Sequence, residues 1–374
     1  MHIVIILGPF LPIPPVLGGA VEKIHLTLAK AYRDAGHEVT IISRKFEDFP
    51  EAEIINGISY VRINSRNRSP YLALNLAFSF CYALRVAAFL PRADITVTNE
   101  FFLPLVLPRQ RAGKIYVQVG RFPKYQMWLY FRADRLQAVS RAVAQAVVRQ
   151  TPWLAGRVRT IGCPVPDIFF QRTPFIRRRV ILFVGRIARE KGVELVIRAF
   201  LLLKRRQDLH LIDEWKICIV GPHEIAAGGD GEKHLLELKE LARPLESQCE
   251  FVGPIFDEDA LHRKYAESSI FVYPSLAEYG ESLGVAALEA MAGRCATVVS
   301  DLRCFDDYIE HGVTGLKFDH RGHAPEERLA EQLATLISEP TFLQRVANAG
   351  YCAASHFSVA SIAEVMLADF QRLL

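Results

Sequence analysis

Two carboxylates lie eight residues apart in one apolar segment of the chain. Glu281 and Glu289 begin and end the stretch ESLGVAALE. On an α-helix, eight residues span roughly 12 Å, about the length of a sugar, a diphosphate and a ribose. Carboxylates accept hydrogen bonds from hydroxyl groups, so each glutamate could hold one sugar end of such a ligand. The alternative is a surface helix with two solvated glutamates. However, Glu289 lies among Ala, Leu and Met, where burial of an unpaired carboxylate is costly.

The residues between the two glutamates favour an anion at a helix start. Ser282 is a candidate N-cap, because its hydroxyl can accept a hydrogen bond from the first turn. The first free backbone N–H groups would then belong to Leu283, Gly284 and Val285. Gly284 carries no side chain where a phosphate would lie. The segment therefore predicts phosphate binding.

A second segment supplies positive charge. Arg186 and Lys191 lie five residues apart in the loop GRIAREKG, which follows the apolar run RVILFV. Ligands of open parallel sheets bind beyond the carboxyl ends of the strands. These two cations could therefore neutralise a diphosphate. Taken alone, the segment also fits a solvated charged turn.

A pair of glycines, Gly18 and Gly19, opens the first helix after the first apolar strand. Glycine lets the backbone approach a ligand closely, and a helix start favours an anion. A flexible loop explains the pair equally well. Neither a G-x-G-x-x-G fingerprint nor a P-loop is present there, which disfavours a dinucleotide-dependent dehydrogenase.

Alternating strands and helices position these segments. Continuous apolar runs are typical of strands buried in parallel sheets, and Ser140 predicts the N-cap of one intervening helix. The pattern stops at residues 163–179, where prolines and basic residues predict a linker. Two doubly wound α/β domains are therefore expected. The clearest strand candidates are residues 3–7, 38–43, 93–99, 114–119, 179–185, 215–221, 268–275 and 296–300.

Composition excludes several other classes of protein. The 374 residues are 51% hydrophobic and 23% charged, enough to bury large cores. The seven cysteines are scattered and contain no C-x-x-C pair, which disfavours a disulfide framework or a zinc site and fits a reducing cytoplasm. The N-terminal MHIVIILGPF has no basic region, so it is interpreted as a strand and not as a signal peptide.

Charge is divided unevenly between the two halves. Residues 1–170 hold 21 Lys and Arg against 11 Asp and Glu, whereas residues 171–374 hold 24 against 30. No nucleic-acid-binding motif accompanies the basic half, so no nucleic acid partner is expected. An acidic ligand or an anionic membrane surface remains a candidate partner.

The stretch from Tyr71 to Leu90 is almost wholly apolar. We interpret it as a long helix buried in an α/β core; the alternative is a helix at a membrane interface or embedded in the membrane. Arg62, Arg66 and Arg68 precede it. The basic half is therefore also a candidate docking surface for an anionic membrane or a lipid-linked acceptor. A soluble acidic acceptor is the other interpretation.

These segments resemble glycosyltransferase family 4, a family of retaining enzymes. Glu281-x7-Glu289 resembles its E-x7-E motif, residues 184–200 its phosphate-binding strand, loop and helix, and residues 18–22 its N-terminal glycine loop. The segments FVGPI and HGVTGLKFD also fit. The resemblance covers nearly the whole chain.

The resemblance implies the GT-B fold, in which two Rossmann-like, doubly wound domains face a central cleft. Residues 1–168 would form the acceptor domain and residues 176–356 the domain that binds the nucleotide sugar. A last helix, residues 357–374, would cross back to the first domain.

The resemblance also implies an activity. The protein would be a retaining, metal-independent hexosyltransferase in the biosynthesis of a glycan, a glycolipid or a glycosylated small molecule. The donor would be a UDP- or GDP-linked sugar, and no cofactor is expected. The enzyme would be cytoplasmic, with the inner face of the cell membrane as a candidate location. The base, the sugar and the acceptor stay open.

Residue roles follow from the resemblance. Arg186 and Lys191 would contact the diphosphate and, with Glu281 on the donor-sugar hydroxyls, form the catalytic set. Glu289 would hold the ribose. The other substrate-binding positions would be Gly18, Gly19, Arg121, Gly253, Ile255, Ser282, Leu283, Gly284 and Val285.

One departure from the family pattern concerns the acceptor side. Many relatives carry a histidine after the strand that matches residues 114–119, where this chain has Gln118-Val119-Gly120-Arg121. Arg121 or a backbone group could replace it. Otherwise the protein would be a non-catalytic sugar-nucleotide-binding protein. His25 and His37 are interpreted as ordinary packing or surface residues.

Overall fold

The computed structural model describes residues 1–172, 175–206 and 212–374. The chain forms two compact units. Met1–Pro164 together with Val359–Leu374 form the first unit, and Val165–Ser358 form the second. The linker predicted at 163–179 straddles the boundary between them; its residues 173 and 174 lie outside the described residues.

The first unit is built on an eight-stranded sheet. Its strands are β1 (His2–Ile6), β2 (Glu38–Arg44), β3 (Ala52–Ile55), β4 (Ile58–Ile63), β5 (Ile95–Thr98), β6 (Lys114–Val119), β7 (Arg135–Ala138) and β8 (Val158–Thr160). They lie in the order β3-β4-β2-β1-β5-β6-β7-β8. The edge strand β3 is antiparallel to β4, and the other neighbours are parallel. The central apolar strands are buried, as a sheet covered on both faces requires.

The first five helices of this unit are α1 (Ala20–Asp34), α2 (Leu72–Phe89), α3 (Leu103–Val106), α4 (Arg109–Ala112) and α5 (Arg141–Gln150). The N-cap predicted for α5 is confirmed, because the Ser140 hydroxyl accepts a hydrogen bond from the Val143 N–H at 3.2 Å. This contact satisfies one of the free N–H groups of the first helical turn.

The α2 helix contradicts the expectation of a buried core helix. Within it only Ser79, Tyr82, Ala83 and Val86 are buried. In the part of the chain that the structure describes, α2 is the one helix whose length and composition would allow it to cross a membrane. An apolar run predicts a helix, but it does not say whether protein covers that helix.

The basic segment before α2 exposes fewer arginines than the sequence suggests. Arg62 is buried, and its Nη2 lies 2.5 Å from the Glu53 Oε1. It also stacks near the Tyr60 ring, 5.5 Å from the centroid. Arg62 therefore belongs to the interior, whereas Arg66 and Arg68 are exposed.

The second unit has a six-stranded parallel sheet. Its strands are β9 (Arg178–Val184), β10 (Lys216–Val220), β11 (Cys249–Gly253), β12 (Ser268–Tyr273), β13 (Ala296–Ser300) and β14 (Leu316–Phe318), in the order β11-β10-β9-β12-β13-β14. Its helices are α6 (Val193–Lys204), α7 (Gly231–Ala242), α8 (Glu258–Glu267), α9 (Val285–Ala292), α10 (Pro325–Ser338) and α11 (Pro340–Ser355). The strand order reverses between β9 and β12, and ligands of doubly wound sheets bind at such a reversal.

The last helix, α12 (Val359–Leu373), belongs to the first unit. Its Asp369 is buried and accepts hydrogen bonds from the Nε and Nη2 of Arg135 on β7, both at 2.9 Å. The Tyr116 hydroxyl of β6 donates to the same carboxylate at 3.2 Å. A paired buried charge of this kind fixes α12 against the sheet.

Alkylation should separate the exposed thiols from the buried ones. All seven cysteines are described and free; Cys81 and Cys352 are exposed. Burial raises the pKa of Cys295 to about 11 and that of Cys163 to about 12, so these thiols stay protonated at pH 8. Iodoacetamide at pH 8 is expected to modify Cys81 and Cys352 rapidly and the others only after unfolding. Intact mass and peptide mapping measure this, and rapid uptake of a third adduct by the folded protein would contradict it.

Candidate active site

Glycines bring the loop after β9 against the loop after β12. A Cβ on Gly185 would lie 3.2 Å from the Phe183 ring and 3.3 Å from the Tyr273 ring. Gly192 has a φ of 68° and lies next to the Pro274 carbonyl oxygen, which a Cβ would approach to 2.1 Å. No other residue fits at Gly192 without displacing backbone. The two loops are therefore in close contact at the strand-order reversal.

This contact brings together two of the predicted catalytic residues. The Lys191 Nζ donates a hydrogen bond to the Glu281 Oε2 at 2.6 Å, and the two side chains are only 8 and 9% exposed. The same Nζ lies 5.4 Å from the centroid of the Tyr273 ring. Removing two charges from water is costly unless they pair. The chain thus maintains a buried ion pair where a ligand of this fold would bind.

The Tyr273 hydroxyl is a neutral donor beside this pair. Burial raises the pKa of Tyr273 well above its usual value, and the neighbouring Glu281 carboxylate raises it further. The phenol therefore stays protonated throughout the physiological pH range.

Arg186 extends from the same loop and is partly exposed. Its Nη2 donates to the Glu190 Oε1 at 2.7 Å, and its Nη1 donates to the Gly228 carbonyl oxygen. A guanidinium carries five N–H donors, more than these two contacts use. Arg186 is therefore oriented by the protein and can still bind an anion.

The start of α9 differs from the sequence prediction. The helix begins at Val285, and its N-cap is Gly284, with φ 70° and ψ 57°, so Ser282 does not cap it. A Cβ on Gly284 would lie 2.5 Å from the Phe305 ring. Backbone conformation and packing therefore explain this glycine without a phosphate. Leu283, just before it, is buried.

Glu289 has a protein partner, as its apolar surroundings require. Its Oε2 accepts a hydrogen bond from the hydroxyl of Tyr265 on α8 at 3.0 Å. Burial, and then the nearness of this carboxylate, raises the pKa of Tyr265 well above its usual value. The contact accounts for a half-buried glutamate on α9, and its ribose role stays a prediction.

Gly253 and Ile255 lie at the carboxyl end of β11, two strands from β9. Gly253 has a φ of 81°, and its carbonyl oxygen accepts the Gly221 N–H at 2.9 Å. Ile255 is half-buried beside the exposed Phe256. Both lie on the same edge of the sheet as Arg186 and Lys191, since all its strands are parallel.

The first unit contains a cavity of about 410 Å³ at the carboxyl ends of β5, β6, β7 and β8. Arg121 lines it, as do Gln118 and Gly120 from the segment in which the family histidine is missing. The remaining walls are mostly apolar, with polar atoms from a few side chains. Such a mixture is typical of small-molecule sites. Its other polar lining residues are Asn99, Gln126, Tyr130 and Gln137.

His25 lines this cavity, and sequence reasoning missed it. Its Nδ1 lies 2.7 Å from the Val21 carbonyl oxygen, so Nδ1 carries the proton and Nε2 the lone pair. Nε2 is buried and makes no hydrogen bond of ordinary geometry with the protein, although the Gln118 side chain lies close to the ring. Burial lowers the pKa of His25, so the ring is neutral. The one available signal was its position, six residues after Gly19 on the helix that follows the glycine pair.

The predicted glycine loop already faces a carboxylate. Gly18 and Gly19 have φ values of 77° and 104°. A Cβ on Gly19 would lie 2.1 Å from the Glu22 Oε2, so the Glu22 side chain folds back on the start of α1. Burial raises the pKa of Glu22, and the Arg121 charge opposes that shift. An anionic ligand at this helix start would therefore have to displace the Glu22 carboxylate.

Comparisons with known proteins identify the family. The family model for glycosyl transferases group 1 matches residues 165–352, and that for Glycosyltransferase Family 4 matches residues 18–167. An uncharacterized glycosyltransferase of Methanocaldococcus jannaschii is 32% identical over 341 residues, covering 81% of this chain and 82% of that protein. The chain belongs to the group 1 glycosyl transferases and is a glycosyltransferase of the family 4 type.

Two further relatives match the whole chain. Spore coat protein SA of Bacillus subtilis is 22% identical over 405 residues, covering 100% of both proteins. The crystal structure of HepE from Anabaena in complex with UDP and glucose is 17% identical, with a TM-score of 0.72 and 100% of both chains covered. At this identity the structural likeness concerns the fold. It confirms the GT-B prediction, together with the two parallel-sheet units.

The buried Lys191–Glu281 pair should show strong energetic coupling. Lys191→Met leaves the Glu281 carboxylate buried without its cation, so we expect a loss of about 3–5 kcal/mol in the free energy of unfolding. Lys191→Met combined with Glu281→Leu should cost much less than the sum of the single changes. Calorimetric and urea unfolding measure the cycle.

The exposed pair between Arg198 and Glu194 provides the control for this cycle. Arg198→Met should change stability by about 0.5 kcal/mol or less. Simple additivity of the Lys191 and Glu281 changes would show that the buried contact does not couple them.

Proposed function

We propose that the protein is a retaining hexosyltransferase that uses a nucleoside-diphosphate sugar. The observation that supports this most is the buried Lys191–Glu281 pair beside Arg186, at the strand-order reversal of the second sheet. A cationic loop at that edge suits a diphosphate, and a fixed carboxylate suits sugar hydroxyls.

Glycosyl transfer breaks the bond between the anomeric carbon and the diphosphate, so negative charge accumulates on the departing phosphate. Arg186 and Lys191 would stabilise that charge. An ammonium has three N–H donors. Lys191 can therefore bind a phosphate oxygen while it keeps its hydrogen bond to Glu281, which would tie the phosphate to the sugar-binding carboxylate. Because these cations supply charge stabilisation, we propose that turnover needs no divalent metal, and activity in excess EDTA tests this.

The acceptor would bind in the cavity of the first unit. The His25 Nε2 is a hydrogen-bond acceptor without a protein donor, so it can accept the proton of an acceptor hydroxyl. His25 would thereby take the role of the histidine that many relatives carry after β6 and that this chain lacks. The presence of such an acceptor nitrogen in the cavity favours a protein that transfers the sugar over one that only binds a sugar nucleotide.

The donor would be a UDP- or GDP-linked hexose, and the product a glycan, a glycolipid or a glycosylated small molecule. The solved HepE structure holds UDP and glucose, which makes UDP-glucose the first donor to test. A cytoplasmic location is proposed as well, because the seven free cysteines fit a reducing compartment. Proton NMR of the first product formed would give the anomeric configuration, and inversion would contradict the retaining mechanism.

Arg186→Ala should lower turnover on the order of 10²-fold or more, because it removes stabilisation of the departing phosphate. Arg189→Ala, an exposed arginine of the same loop paired with Glu237, is the matched control and should keep wild-type turnover. Glu289→Ala should instead weaken binding of the free nucleoside diphosphate, measured by calorimetry. Wild-type turnover of Arg186→Ala would refute the phosphate role.

His25→Gln should lower kcat/KM for the acceptor about tenfold or more, the effect of losing a buried hydrogen bond. Donor hydrolysis without acceptor should stay unchanged. Burial lowers the pKa of His25 below 6.5, and protonation removes the Nε2 lone pair. Acceptor-dependent turnover should therefore fall as the pH drops through this lowered pKa, on the acidic side of the usual histidine range, and this limb should be absent in His25→Gln.

His37→Gln is the control for the His25 variant, since His37 lies outside the cavity lining. An unchanged acceptor kcat/KM in His25→Gln would remove His25 from the acceptor site. Tight nucleotide-sugar binding with neither hydrolysis nor transfer to any acceptor would favour the non-catalytic alternative.

A further inference from the structure

The exposed face of α2 is an apolar surface with a regular pattern. Leu76, Phe80 and Leu84 follow one another at intervals of four residues and therefore form one stripe along the helix. The two ends of the helix are the most exposed, with Leu72 73% and Phe89 69% accessible. Large apolar side chains rarely remain uncovered in this density on a protein that meets only water. The exposed apolar set is Leu72, Leu74, Leu76, Phe80, Leu84 and Phe89.

The opposite face of α2 is fixed to the first unit. The Ser79 hydroxyl donates to the Glu100 Oε1 at 2.5 Å, and the Glu100 Oε2 accepts the N–H groups of Phe102 and Leu103, both at 2.7 Å. At the edge of the exposed stripe, the Phe80 ring still meets the Phe102 ring edge to face at 5.4 Å. The helix is thus held flat on its unit by buried polar contacts. This orientation suits a helix lying in a membrane interface and not one crossing it.

The segment of sequence that contains α2 carries charge of a single sign. Residues 54–93 contain five arginines and neither Asp, Glu nor Lys. Of the five, Arg62 is buried, and the other four are exposed. One of them, Arg66, lies over the Phe78 ring at 5.4 Å, so it flanks the helix directly. The exposed four are Arg66, Arg68, Arg85 and Arg92.

Exposed aromatic side chains occur at the start of α2 and on a turn that α3 connects to it. Tyr71 is the N-terminal flanking residue of α2 and is exposed. The turn at Met127–Tyr130 packs against α3, which in turn packs against α2. Trp128 and Phe131 of that region are exposed. Tyrosine and tryptophan favour the boundary between lipid and water.

We propose that α2 and its flanking arginines dock the first unit on an anionic lipid bilayer. The leucine and phenylalanine stripe enters the acyl-chain boundary, and the arginines bind the lipid phosphates. Apolar burial and cationic attraction both contribute to such binding. A second copy of this chain fits less well, because its own arginines would lie against these four.

Vesicle co-sedimentation of the full chain tests the proposal. We expect binding to phosphatidylcholine vesicles that contain phosphatidylglycerol, weak binding to pure phosphatidylcholine, and release as salt rises. Leu76→Ser with Leu84→Ser, and separately Arg66→Ser with Arg68→Ser, should each weaken binding about tenfold or more. Leu236→Ser and Arg328→Ser, which change exposed residues of the second unit, should not.

The two exposed cysteines give a readout specific to α2. Cys81 lies on α2 and Cys352 on α11 of the second unit. An environment-sensitive fluorophore on Cys81, in a Cys352→Ser background, should shift to the blue with anionic vesicles. The same fluorophore on Cys352, in a Cys81→Ser background, should not shift. Equal shifts at both sites, or none at either, would overturn the assignment of α2.

Two other outcomes also overturn the proposal. Failure of the wild-type protein to bind anionic vesicles at low ionic strength is one. Light scattering that shows a dimer, lost in the Leu76→Ser and Leu84→Ser variant, is the other, since α2 would then be an interface between copies. Docking and catalysis are tested separately, because donor hydrolysis in the absence of vesicles should be unchanged in all α2 variants.

Discussion

The second unit depends on the close contact between its loops after β9 and β12, and on the buried Lys191–Glu281 pair within that contact. A charge can remain in such a place only if its partner stays within hydrogen-bond distance. Gly192 allows this, because a side chain there would collide with the Pro274 carbonyl oxygen and separate the loops. A Cβ on Gly185 would press against the Phe183 and Tyr273 rings. The pair therefore determines loop geometry as well as local charge. In this arrangement Arg186 lies partly exposed in the loop after β9, where Glu190 orients it.

The first unit also buries charged and polar groups, but not all of them are paired. One of its buried ion pairs, Arg135 with Asp369, holds α12 on the sheet. The cavity nearby keeps one buried nitrogen, the His25 Nε2, without a partner in the protein. Satisfied buried groups stabilise the frame, and an unsatisfied one in a cavity wall marks the place where a ligand can contribute the missing hydrogen bond.

Much of the architecture could be predicted from the sequence, because apolar runs and their spacing are local properties. The Ser140 cap could also be predicted, since it needs only its own helix. The Ser282 cap was wrong because Gly284 adopts a left-handed conformation against Phe305, a contact across the fold. The predicted burial of α2 and the predicted exposure of Arg62 were wrong for the same reason. Whether a helix or an arginine is covered depends on residues distant in sequence. His25 could be identified as a site residue only from the structure, which places its ring in the cavity wall.

The Arg135–Asp369 pair has a consequence for how the chain is made. The two residues are 234 positions apart in sequence, and the whole second unit is encoded between them. While the ribosome is still completing that unit, the emerging first sheet contains an arginine destined for burial whose counter-ion has not yet been synthesised. The first unit therefore cannot complete this ion pair, or dock α12 on its sheet, until the second unit has been synthesised.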